Sequence, residues 1–112
     1  MSALSHCRDL CTAALLAALA GGAWAQTPDL FRDADLALGA KLLAEHRCNE
    51  CHARKVGGDG SAIFRPQGRI SSAGLLRDRV EYCSSELGLK LFPEEVTAIA
   101  AVLNRDHYHF ER

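Results

Sequence analysis

The sequence predicts a small all-α fold, and three observations predict it. Apolar residues recur at three- and four-residue spacing in three stretches, 33–46, 73–86 and 92–104. Each stretch opens on a helix-start signal: Asp33, then Ser71 or Ser72, then Phe92-Pro93-Glu94-Glu95. No strand-like run flanks the cysteine pair that lies between the first two stretches.

Residues 1–25 read as a processing segment. His6 and Arg8 form a short polar start, and 10–20 is an apolar run. Ala23-Trp24-Ala25 fits the small-x-small cleavage pattern, which makes Gln26 the mature N-terminus. The run is short for a bilayer span. The alternative is an uncleaved N-terminal anchor. Cys7, Cys11 and Met1, the only methionine, would leave with the segment. Residues 26–112 have room for one domain. A core of that size is marginal without a staple.

Residues 26–32 are a short arm. The first helix covers 33–46, with Asp33 as N-cap and Asp35 near the positive end of the helix dipole. Leu36, Ala40 and Leu43 make its apolar stripe, widened by Leu38 and Leu42. Gly39 costs helix stability and suits a place where another helix meets its backbone. Cys48-Asn49-Glu50-Cys51-His52 follows as a short helical turn. Residues 54–69 lack periodicity: Gly57-Gly58-Asp59-Gly60 makes a turn, Pro66 fixes the chain, and the stretch reads as a loop. The glycines are no phosphate loop, because the lysine and the strand-loop-helix setting are missing. The second helix puts Leu76, Val80, Cys83 and Leu87 on one face, which points Cys83 inward. The third has Pro93 and two acids in its first turn, with Val96, Ile99, Ala100 and Leu103 as its apolar face. It ends near Asn104, and 105–112 is a polar-aromatic tail.

Cys48-Asn49-Glu50-Cys51-His52 is C-x-x-C-H, the signature of covalent c-type haem attachment. Cys48 and Cys51 add across the haem vinyl groups as thioethers, and His52 binds iron as the proximal ligand. Two other chemistries use such cysteines. A zinc site needs a second ligand pair, and Cys83 with His107 or His109 is poorly spaced for one. A redox dithiol belongs in a strand-helix-strand setting. The export segment and the motif support each other, since this haem is joined to reduced thiols outside the cytoplasm. The expected location is the periplasm. Cys83 is then the odd cysteine in an oxidising compartment.

The stretch 26–112 carries net charge −1, divided as −2 over 26–46, +4 over 47–79 and −3 over 80–112. The basic middle holds Arg47, Arg54, Lys55, Arg65, Arg69, Arg77 and Arg79. It reads as solvated loops with arginines pairing to haem propionates, or as a positive rim that steers an acidic redox partner. A near-zero overall charge and export do not support nucleic-acid binding. Membrane contact is expected only through a partner or an uncleaved anchor.

Over almost all of 26–112 the chain resembles the class I c-type cytochrome family. The resemblance rests on Gly39 with Leu42-Leu43 before the motif, the motif itself, a loop with Pro66, and a last helix ending Ala100-Ala101-Val102-Leu103-Asn104. It implies a small cytochrome c-like fold, with three or more helices around one covalently attached haem c. The first and last helices of that family cross at the glycine, and its usual work is single-electron transfer. Its last helix often carries an aromatic where Val102 stands here. These cytochromes usually take a second iron ligand from methionine, and no methionine lies in 26–112. The resemblance therefore implies a lower potential than that of a His/Met site.

Glu81-Tyr82-Cys83-Ser84-Ser85-Glu86-Leu87-Gly88, followed by Pro93, is locally similar to the oxygen-binding sphaeroides-type haem proteins. There, an asparagine before the cysteine is the weak distal ligand; here that position is Tyr82. Their cysteine pairs with a residue eight positions on, which is Leu91 here, so that disulfide cannot form. The distal candidates are Cys83 as thiolate, Tyr82, His107 and His109, with an open or water-bound iron as the remaining case. The leading function is an exported mono-haem electron carrier working with an unidentified redox partner. No acid–base pair or nucleophile constellation marks an enzyme. The alternative is a haem protein that binds a diatomic or sulfur ligand at a distal site lacking methionine. A third class is a sensor built on the Cys83 thiol.

Overall fold

The computed structural model describes residues 26–65 and 68–112. The leader expected over 1–25 and the role expected of Pro66 lie outside the described residues. Among the described residues there are four α-helices: α1 Leu36–Glu45, α2 Cys48–Val56, α3 Ala73–Glu86 and α4 Pro93–Leu103. Short 3-10 turns occupy Asp29–Phe31 and Ser61–Ile63, and a π-helical turn, Asn104–Tyr108, extends α4. No strand occurs among the described residues, so the all-α expectation holds. None of these helices is long and apolar enough to cross a membrane.

The hub is α4. Pro93 suits its first turn, and the Phe92 amide donates to Glu95 Oε2 at 2.8 Å. Val96, Ala98, Ile99, Ala100, Ala101, Val102 and Leu103 are all buried, rather than the single face the spacing predicts. The reason is packing on several sides: α1, α3 and the Asp29–Phe31 turn all lie against α4. Its alanines let those neighbours come close.

The start of α1 differs from expectation. Asp35, not Asp33, is the N-cap, and its Oδ1 accepts from the Leu38 amide at 2.9 Å. The inward face is also rotated. Gly39 and Leu42 are buried while Leu36 and Ala40 are exposed. The cause is Gly39, which a hydrophobic count ignores. A Cβ there would overlap the Ala98 carbonyl and lie 2.8 Å from Val102 Cγ2. The two backbones touch at this point.

The cysteine motif is more than a single turn. It opens α2, and residues 54–56, expected in a loop, continue it. Arg54 and Lys55 are good helix formers near the negative end of the dipole. Gly57 stops the helix at φ +81°. No residue of α2 is buried, so no apolar period marked it.

In α3 the bounds are those expected, with Ser72 Oγ accepting from the Leu75 amide at 3.2 Å. Its buried stripe is Ala73, Leu76, Val80 and Ser84. Cys83 is therefore exposed, not inward, and Leu87 is 61% exposed. Successive helix residues turn by about 100°, so a face through Ser84 carries Cys83 to its edge. Leu87 lies beyond the last turn. Arg77 belongs to the packing rather than to a solvated loop. It donates to Thr97 Oγ1 at 3.0 Å and to Glu81 Oε2 at 2.7 Å, tying α3 to the start of α4.

The last eight residues are held as well. Asn104 Nδ2 donates to the Phe110 carbonyl at 3.0 Å, and the Phe110 amide donates to Asn104 Oδ1 at 2.8 Å. Tyr108 is buried against this turn and stacks on Phe110.

Candidate functional site

Cys48, Cys51 and His52 occupy one side of the first turn and a half of α2, at positions i, i+3 and i+4. Arg47 takes a left-handed conformation, φ +51°, and so turns the chain from α1 into this helix. Below it, α2 packs on α1 and on the Ser61–Ile63 turn. Gly60 makes the second contact possible. A Cβ there would lie 2.6 Å from the Asn49 carbonyl oxygen and 2.8 Å from His52 Cβ, and its φ of +84° favours glycine.

Both motif cysteines are half-buried free thiols. Burial pushes the Cys48 thiol up, and the nearby Cys83 and Cys51 sulfurs add to the rise. A helix N-terminus ordinarily favours thiolate; here burial prevails. That is the reverse of what a reactive redox dithiol needs. Cys83, from α3, is thus brought within electrostatic reach of Cys48.

The His52 imidazole is held below its usual pKa by burial, with a smaller contribution from Lys55. It is neutral at neutral pH, the form that ligates metals. Its Nδ1 is buried and has no hydrogen-bond partner among the described residues, which leaves Nε2 as the nitrogen able to reach outward. Phe64 meets His52 edge-on, with ring centroids 5.2 Å apart and planes at 83°. On its other side Phe64 stacks on His107, at 4.5 Å and 27°. Asp59 lies close by. Its carboxyl is held below the usual range, chiefly by hydrogen bonding to Ser61 and slightly by His107.

The four distal candidates are dispersed. Tyr82 is 55% exposed, under the Arg79 guanidinium at 5.6 Å from its ring centroid. Cys83 follows it on α3. His107 sits against Phe64. His109 lines a cavity of about 310 Å³ with Phe31, Arg32 and Leu36, a wall that includes no motif residue. Among the described residues no three His, Cys, Asp or Glu side chains converge as a metal site would require.

The residues present fit a covalently held haem. Two thiols one helical turn apart can add to vinyl groups, and an imidazole follows on the same helix side. The helix that carries them has no buried residue and so has a face to offer. Sequence reasoning missed Phe64. It lies in a stretch without periodicity, and its partner His107 is 43 positions away. No family model, curated protein or solved structure matches the chain.

Proposed function

We propose that this chain is an exported mono-haem c-type protein that carries single electrons. The observation that carries the reading is Cys48, Cys51 and His52 sharing one side of a helix that is otherwise unburied. Bound haem would supply an iron centre cycling between ferric and ferrous states. The chain supplies the rest. Cys48 and Cys51 anchor the group, and His52 offers Nε2 as the proximal ligand. The α1–α4 contact at Gly39 joins the scaffold's helices backbone to backbone. Arg79 and Arg69, both exposed, leave positive charge on the surface for an acidic partner. Among the distal candidates, Cys83 lies within electrostatic reach of Cys48.

Absorption spectra of the purified protein, oxidised and dithionite-reduced, with and without CO, test this. A covalently bound haem with a six-coordinate reduced spectrum indifferent to CO is expected of an electron carrier. A high-spin ferrous form that takes up CO would replace electron transfer with small-ligand binding. Absence of covalent haem would remove both.

A further inference from the structure

The His52 ring faces the Phe64 ring, and no hydrogen-bond acceptor meets its Nδ1 among the described residues. Metal-binding imidazoles ordinarily donate their second N–H to a carbonyl, carboxylate or water, which fixes the ring's rotation. Here Nδ1 is buried without such a partner among the described residues. Phe64 stands against the ring instead, nearly perpendicular at 83°. An edge-to-face pair at this distance is an oriented contact.

Phe64 is itself held from behind. His107 stacks on it at 4.5 Å, and Tyr108 meets it at 6.2 Å and 70°. Both belong to the π-helical turn Asn104–Tyr108, which Asn104 locks through its two hydrogen bonds with Phe110. A π turn inserts one residue per turn relative to an α-helix and re-aims the side chains that follow it. The C-terminal turn thereby reaches the cysteine-motif helix through a single ring.

We propose that Phe64, backed by His107, is the positioning residue that sets the rotation of the His52 imidazole and hence its orientation toward iron. The inference rests on the haem reading above. His107 then serves as a ring that packs, which removes it from the candidates for the distal ligand.

The test uses holoprotein variants Phe64→Leu, Phe64→Tyr, His107→Ala and His107→Phe. Ferric EPR, haem-methyl proton shifts and midpoint potential are read on each. These depend on the rotation of the axial imidazole, and a merely structural role would leave them unmoved while lowering the melting temperature. Phe64→Leu and His107→Ala are expected to broaden the ferric EPR signal, narrow the spread of the haem-methyl shifts and move the potential. Phe64→Tyr and His107→Phe, which keep the rings, are expected to restore all three. If Phe64→Leu does not mature, the His107→Ala and His107→Phe pair decides alone. Variants that bind covalent haem and keep the wild-type EPR, shifts and potential overturn the proposal. So does a conversion of His107→Ala, and of it alone, to a CO-binding high-spin form, which would make His107 the sixth ligand. Wild-type protein without covalent haem overturns the functional reading and this inference with it, a result distinct from either.

Discussion

A single missing methyl group decides how this chain packs. Gly39 is the residue at which α1 and α4 touch backbone to backbone, and a Cβ there would collide with the Ala98 carbonyl. Gly39→Ala raises intrinsic helix propensity by about 1 kcal/mol. The overlap with rigid backbone outweighs this gain, because overpacking in a dense core costs about 1–3 kcal/mol or more. The variant is expected to lose at least about 1 kcal/mol in chemical denaturation, and equal or higher stability would show that the helices can part freely. The placement of Cys48, Cys51 and His52 on one helical turn was legible in the sequence because their spacing is local. Phe64 was not, because an aromatic in an aperiodic loop has no meaning until its neighbours are known. Cys83 was misread for a related reason: the repeat places it near an apolar face, but α4 chose the face through Ser84.

At the scale of elements, the helices that bury residues were visible and the one that buries none was not. α3 and α4 have clear starts at Ser72 and Pro93, and both begin there. The full length of α2 was missed because periodicity reports burial, not helicity. The C-terminal turn was missed because it depends on one side chain. Asn104 is buried and exchanges two hydrogen bonds with Phe110. Asn104→Ala leaves the Phe110 amide and carbonyl without these partners. The loss is expected at about 1–3 kcal/mol, given the partial burial. Amide exchange at Phe110 should accelerate in step, and an unchanged rate would mean that the turn closes without Asn104.

At the scale of the molecule, the core and the candidate site are built on different helices. α1, α3 and α4 share the buried cluster that includes Leu42, Leu76, Ile99 and Leu103. α2 stands beside it with nothing buried. Local stability follows burial, so α2 should depend on what it holds. On the proposed haem reading, preventing attachment with Cys48→Ser and Cys51→Ser is expected to lower the unfolding midpoint. Amide exchange should then show α2 losing protection first and α4 last. An unchanged midpoint would mean that the attached group is no part of the fold's stability.

The sequence by itself determined the all-α class, most helix limits and the clustering of Cys48, Cys51 and His52, since propensity, capping and short spacing act within a few residues. Only the tertiary structure decided which face each helix turns inward, that 105–112 folds back, and that Phe64 and His107 stand behind His52. Those outcomes depend on atoms far apart in the chain, and backbone contact at Gly39, the choice of Ser84 over Cys83 and the bonds of Asn104 settle them. A sequence repeat marks which side chains are apolar; where backbones meet decides which of them are covered.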